Sequence, residues 1–561
     1  MNNYIKNICY VAASALLAIN ISSCNDLDED LKSVYGRDNA YITYENAVQG
    51  VNGIYASLQM ATARAIFYLN DMSTDACYKA GMDNELLNDN NMNGNMDVSR
   101  SWLAYNQITG RANDAIDNIP NIPDNRFIGK EVTREELMAQ AYFMRAFGYY
   151  QLTDLFYRVP LVTNSWIEAT TKVPLASVEE LDAQIEKDLL IAMNNLPDSY
   201  ASLADAGRPT KGAVYGYLMR LYMRAAGRTR LSGGDATAKW NQALMYADKV
   251  IEQANKGYYS LQPTVWDVFD PSTDKTLYNN EIIFAVRSSK KFPSGASDIG
   301  MNFTPWSYNY GWDLFSVPLE LVWMFDKTDQ RYTNLLAHDY DDVYKATNKR
   351  TYVLPQDITQ VGTLYKETPS LITIEMEQSY TEKYHYQAAG TYNYNTNNNM
   401  ILLRYADVLL CKAEILNELK GPNQESVDLI NMIRERAFQD VTHNLVLTDY
   451  PSADDLRSAI CDERLLELNN EGVRRPDLIR MGLWKDRMDK YMDAIKAKVE
   501  MKEVNNTVNG IRPDFSSDWR VYPKFSGMPL KKFDKRRYYP IPKRETDSNS
   551  DLLNNRNFSE E

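Results

Sequence analysis

Apolar residues recur at helical spacing over most of this chain, and the places where that rhythm starts and stops divide it. Ala47, Val51, Ile54 and Leu58 make one stripe and predict a helix over Asn46–Met60. A polar stretch rich in Asn, Asp and Met follows from Asp71 to Arg100 and reads as an exposed excursion. Trp102, Tyr105, Ile108, Ala112 and Ile116 restart a helix. Thr133 and Glu136 form a capping box ahead of a stripe through Leu137, Ala141, Met144, Gly148, Leu152 and Leu155. Ser177 and Glu180 cap a helix through Leu196, and another opens at Lys211 and runs to about Ala226. Trp240, Ala243, Tyr246, Ala247, Val250 and Ile251 have the spacing of the first helix of a tetratricopeptide unit. From Gly257 to Asn399 helical rhythm fades and short β-rich runs such as Glu281–Val286 replace it. Helices return at Met400–Leu410 and Leu429–Ala437.

The last patterned block, Ser452 to Met481, carries charge where a helix would carry apolar residues. Ser452 and Asp455 give a start signal and Gly472 a stop. Leu456, Ile460, Glu463, Glu467 and Glu471 fall on a single stripe, so carboxylates continue a face that Leu and Ile begin. Buried carboxylates need partners, and Arg464, Arg474, Arg475, Arg480, Arg434 and Arg436 are near in sequence. A structural ion network is the preferred reading over a solvated charged face or a catalytic carboxylate pair.

Composition narrows the function. A net charge of −14 argues against nucleic acid as a partner, because affinity for a phosphate backbone comes from clustered Lys and Arg. Three His, all far apart, leave no metal or acid–base centre built on histidine, and no metal or cofactor is expected. Neither G-x-S-x-G, H-E-x-x-H nor C-x-x-C occurs. The 39 Tyr and 9 Trp are the unusual feature. Cys411 and Cys461 lie in apolar helical runs and are expected to be small core residues.

At the N-terminus, Ile8–Ile21 is an apolar run too short to span a bilayer, which predicts a cleaved export signal over 1–23. Ile21-Ser22-Ser23-Cys24 resembles a bacterial lipobox, with Cys24 the acylated residue and a membrane attachment through lipid. The acidic run Asn25–Asp30 resembles the surface-export tag of Bacteroidota lipoproteins and begins a tether over 24–45.

Several blocks then resemble, in order, the SusD/RagB family of outer-membrane nutrient-binding lipoproteins. Arg145, Ala146, Tyr149, Leu152 and Val159-Pro160-Leu161 match one segment, with Tyr157-Arg158 standing where the family usually carries Gly-Asp. Gly207-Arg208-Pro209-Thr210-Lys211 matches G-R-x-T-K, and Arg404-Tyr405-Ala406-Asp407-Val408-Leu409-Leu410 matches R-Y-A-E/D-V-L-L. Ile430-Asn431 with Arg434, Arg436 and Ala437 matches another helix. Glu463, Arg464, Glu467, Leu468, Glu471, Gly472, Arg474, Asp477 and Leu478 match the C-terminal signature, and Pro540-Ile541-Pro542 with Glu545 the closing element. The resemblance implies a mainly α, tetratricopeptide-like scaffold with a loop-rich insertion carrying short strands. Its parts would be helical repeats over 46–256, the insertion over 257–399, and a C-terminal helical part over 400–561.

The chemistry to look for is sugar binding. Sugar rings lay C–H faces on flat aromatics, while their hydroxyls need polar partners. Five aromatics crowd Phe303–Trp312, and in an extended segment Trp306, Tyr308, Tyr310 and Trp312 share one side. A second aromatic tract holds Tyr380, Tyr384, Tyr386, Tyr392 and Tyr394. The candidate ligand-binding residues are therefore Trp306, Tyr308, Tyr310 and Trp312, with Asp71 and Asp75 as hydroxyl acceptors and Trp102 as a weaker candidate. The alternative to ligand contact is that such rings form a small core tying the insertion to the helices. The resemblance implies a SusC-like TonB-dependent transporter as partner and a cell-surface, outer-membrane location. It also implies binding without catalysis; peptide capture and, less favoured, glycoside hydrolysis are the alternatives.

Overall fold

The computed structural model describes residues 40–77, 94–167, 171–202, 205–270, 278–288, 299–303, 315–322, 324–336, 339–341, 349–351, 372–374, 381–384, 398–491, 493 and 537–553. Six long helices come first: α1 (Tyr44–Asn70), α2 (Met96–Asn118), α3 (Arg134–Phe156), α4 (Val178–Asn195), α5 (Lys211–Leu231) and α6 (Thr237–Asn255). They pack as successive antiparallel-type pairs, α1 on α2, α3 on α4 and α5 on α6, each pair leaning on the next. Local signals explain where they start. Thr133 Oγ accepts the Glu136 amide, and Ser177 with Glu180 closes a reciprocal capping box. Small residues set the spacing: a Cβ on Gly148 would meet the Thr109 side chain of α2 at 2.7 Å, so α2 and α3 approach this closely only with glycine there.

α1 runs ten residues beyond the Met60 expected from its pattern, and residues 71–77 after it are not an exposed excursion. Asp71–Thr74 and Ala76–Cys77 are buried, Asp75 is half-buried, and α2 begins at Met96.

In the second half, β1 (Ile282–Val286) pairs antiparallel with β5 (Met400–Arg404). Here the helical expectation for 400–404 is corrected. Met400-Ile401-Leu402-Leu403-Arg404 is an unbroken run with all five residues buried, and a short run of this kind reads equally as strand or helix. Pairing with β1 decides it, and the helix α10 (Tyr405–Lys420) starts one residue later. Between β1 and β5 lie three short helices, α7 (Ile299–Phe303), α8 (Leu319–Val322) and α9 (Gln330–Thr333). A small sheet follows there, of β2 (Asp339–Asp341), β3 (Lys349–Thr351) and β4 (Ile372–Ile374). α10 then packs on α6, on α11 (Gln424–Phe438) and on α12 (Ala453–Leu468), while α13 (Arg474–Met481) closes against α1 and α5. One large apolar core runs through both halves. Cys411 and Cys461 sit in it, buried and without a disulfide. No helix among the described residues is long and apolar enough to cross a membrane. The expected mainly α, tetratricopeptide-like scaffold with an irregular, strand-bearing insertion is the fold observed.

Candidate ligand-binding face and its buried base

Trp306, Tyr308, Tyr310 and Trp312 lie outside the described residues, as do Tyr380, Tyr386, Tyr392, Tyr394 and Cys24. What is described is the base from which the 304–314 segment departs. The Phe315 amide donates to the Asn302 carbonyl at 2.9 Å, so the segment leaves and returns at one point. Both ends are buried rings. Phe303 stacks on Tyr384 with centroids 5.1 Å apart and sits 4.9 Å from Phe315, and Phe315 meets Tyr68 edge-on at 4.8 Å. Phe67 of α1 packs edge-on against both Phe303 and Tyr384. Rings meeting at an edge or offset face gain roughly 0.5–1.5 kcal/mol per pair beyond the area they bury. Tyr384, from the second aromatic tract, is thus a core residue whose hydroxyl donates to the Asn470 carbonyl at 2.9 Å.

Beneath that cluster lies the carboxylate stripe of α12. Ser452 and Asp455 cap the helix reciprocally as expected, but it ends at Leu468, and Asn469–Gly472 turn with Asn470 and Gly472 at positive φ. Glu463 and Glu467 project from the helix and Glu471 from the turn. Arg404 bonds Glu467, Glu281 and Glu471 at 2.6–2.7 Å. Arg436 bridges Glu281 and Glu467, and Arg331 reaches Asp329, Glu463 and Glu467. Arg434 takes the other oxygen of Glu463, and Lys383 binds Glu471 at 2.7 Å and the carbonyls of Glu467 and Asn469 at 2.8 Å. The carboxylates Glu281, Asp329, Glu463, Glu467 and Glu471 balance the cations Arg331, Lys383, Arg404, Arg434 and Arg436 one for one.

Balance is what makes this burial tolerable, since an unpaired charge at such depth costs several kcal/mol or more. Burial alone would push the Glu467 carboxyl up, yet Arg436, Arg404 and Arg331 outweigh it and hold it well below the usual carboxylate range. Glu471 is likewise lowered, burial being overcome by Arg404 and Lys383. Burial also lowers Lys383, only partly opposed by Glu471. An adjoining chain of pairs links Arg220, Asp407, Arg464, Asp477, Arg480 and Glu414. The ion network expected from the stripe is therefore present, and Arg434 and Arg436 belong to it. Arg464, Arg474 and Arg480 serve neighbouring carboxylates instead, and Arg475 bonds the Arg537 carbonyl, Ser73 and Tyr539. Its remaining members, Glu281, Asp329, Arg331, Lys383 and Arg404, come from the second half of the chain ahead of α10. A lone charge beside an apolar run, as in Met400–Arg404 or Glu281–Val286, was the signal that could have found two of them.

The other three candidate residues are corrected by their surroundings. Asp71 is wholly buried; its carboxylate accepts the Gly472 amide at 2.6 Å and the Arg474 amide at 3.3 Å, which ties the end of α1 to the turn after α12. Burial pushes it up to about 7 despite those bonds, with Glu471 adding to the rise. Asp75 grips Arg474 with both oxygens at 2.7 Å. Trp102 is 6% exposed and packs edge-on against Phe156 at 5.0 Å. Asp71 and Trp102 are thus buried structural residues, and the half-buried Asp75 has both carboxylate oxygens engaged by Arg474. Among the described residues no group of three or more His, Cys, Asp or Glu side chains could hold a metal ion.

Two family models match this chain: the SusD family over residues 316–558, and a SusD-like family described as starch-binding and associating with the outer membrane over residues 27–223. SusD-like protein P2 of Formosa agariphila is 28% identical over 502 residues, covering 84% of this chain and 91% of that one. SusD-like protein P25 of the same organism is 26% identical, covering 83% and 88%. A SusD homologue from Bacteroides thetaiotaomicron superposes with a TM-score of 0.67 at 21% identity, over 91% of this chain and 96% of its own. Surface glycan-binding protein A from the same organism, solved with laminarihexaose, gives 0.63 at 19% identity over 91% and 99%. The fold, the charge-balanced C-terminal signature and these matches agree: the chain belongs to the SusD-like family.

Proposed function

We propose that this protein is a cell-surface lipoprotein, acylated at Cys24, that binds oligo- or polysaccharide on Trp306, Tyr308, Tyr310 and Trp312. It then passes the glycan to a SusC-like TonB-dependent transporter in the outer membrane and breaks no bond in it. The observation that carries this reading is the closed base of the 304–314 segment. A segment whose two ends are anchored by buried rings can hold flat side chains in register, and preorganised rings lose little freedom on binding. A relative of this fold solved with laminarihexaose supports a glycan as the ligand class.

Isothermal titration against a panel of polysaccharides and against peptide mixtures tests the reading. A sugar response that loses its aromatic-segment component in Trp306→Ala or Trp312→Ala is expected, with no release of reducing sugar. A response to peptides alone would replace glycan by peptide, and release of reducing sugar would make the protein an enzyme. Co-purification with a barrel transporter from detergent-solubilised outer membrane tests the handover, and a solely monomeric protein there would contradict it.

A further inference from the structure

A cavity of about 810 Å³ opens among α3, α4, α5 and α13 and shares no lining residue with the aromatic base described above. Ligand sites commonly fall in the range of about 300–1,000 Å³. At its rim stands Tyr157, the residue that ends α3, with φ 66° and ψ −71°. Glycine takes such a conformation without penalty, whereas a tyrosine there is strained, and strained residues of this kind cluster at functional sites. The Tyr157 ring lies 4.7 Å from that of Tyr538, tilted by 35°, and both rings line the cavity.

Asp154, Glu179, Asp182 and Glu186 of the lining are balanced in number by Arg224, Arg228, Lys239 and Arg537, while Arg480 pairs with Glu414 and Asp477 outside it. Arg224 bonds Asp154 at 2.8 Å and Asp182 at 2.7 Å, Asp182 also takes Arg228, and the Tyr222 hydroxyl donates to Glu186. A charged ligand would find no unmatched opposite charge among these pairs. What they offer is spare carboxylate lone pairs beside N–H donors, and the buried Nε–H of Arg224 has no acceptor among the described residues. Hydroxyl groups both donate and accept, so a neutral polyol satisfies such a lining without burying an uncompensated charge. We infer that this cavity is a second binding site, for a neutral sugar segment stacked on Tyr157 and Tyr538 and hydrogen-bonded to the Asp154–Arg224–Asp182 group.

Titration of the full mature chain with laminarihexaose and, separately, maltohexaose tests this. Tyr157→Gly removes the ring and relieves the backbone strain, so its melting temperature should equal or exceed that of the parent. One of the two sugars should bind at least tenfold more weakly at one site in Tyr157→Gly, and Tyr222→Phe, which keeps the packing, should weaken the same site. The Trp306→Ala/Trp312→Ala variant should retain that site. Binding lost in Tyr157→Gly but unmoved by the tryptophan substitutions would uphold this site while refuting the aromatic-loop reading. Isotherms for both sugars that are identical in parent and Tyr157→Gly would overturn the inference.

Discussion

In the helical repeats, shape does most of the positioning; around the insertion, a dense buried charge network is added to it. α1 to α6 meet mainly through apolar stripes and small residues, with a few ion pairs such as Arg145–Asp188 and Arg224–Asp154 between them, and Gly148 shows how close that packing is. Among the described residues, the segments between β1 and β5 have no helix of comparable length. They reach the helices through buried rings such as Phe303 and Phe315 and through Arg331 and Lys383, whose charges, with that of Glu281 just ahead of β1, end on the carboxylates and cations around α12. Apolar contact is nondirectional and repacks after small slips, whereas forked guanidinium–carboxylate pairs hold a geometry. A face that must present rings in fixed positions is better served by the second kind of joint. The cost is that such a joint fails abruptly when a single member is removed.

Breaking that joint should give the largest effect. Arg404→Met strips Glu281, Glu467 and Glu471 of a shared partner and should cost about 3–5 kcal/mol in urea denaturation, as for other broken buried pairs. Hydrogen exchange should rise first at 282–286 and 381–384 and last in α3, and uniform acceleration would show that the two regions are not separately held. Acid should attack the same joint. Glu467, Glu471 and Asp407 are held below their ordinary values, for Asp407 by Arg220 and Arg464 against burial. Their stabilisation is whole above the unfolded carboxylate value of about 4 and is lost as pH falls through the native values. Asp71 has the opposite sign. Raised to about 7, it contributes most below its unfolded value and loses that contribution as pH rises from about 4 to about 7. Melting temperature should therefore fall steeply in acid and decline from about pH 4 to 7, and Asp71→Asn should flatten only the second slope.

In the repeats, Leu152→Ala at a fully buried position of α3 should cost about 3 kcal/mol and leave the denaturant slope unchanged. The smallest effect should come from Ser452→Ala, which removes a capping box from α12 at about 1 kcal/mol. Because α12 carries the network, that loss should appear as faster exchange around 453–456 without release of the insertion.

The same contrast explains what could be read in the chain beforehand. Helices announced themselves because stripe and cap are local, as with Ser177–Glu180 and Ser452–Asp455. The stripe Glu463, Glu467, Glu471 showed that a network existed, but Arg331, Lys383 and Arg404 arrive from 63 to 136 positions away, where no period links them. Met400–Arg404 was read as helix because a continuous apolar run lacks the alternation that marks a half-buried strand. Asp71 and Asp75 were read as loop acceptors because the polar text after α1 looks solvated. Their partners, the Gly472 and Arg474 amides and the Arg474 guanidinium, lie about four hundred positions on.

The most direct test is a crystal structure with a bound oligosaccharide. The expected result is sugar rings lying against Trp306 and Trp312, with the Asn302–Phe315 bond and the Arg404 pairs unmoved. Those tryptophans sealed within the core, with the sugar held elsewhere, would contradict the account.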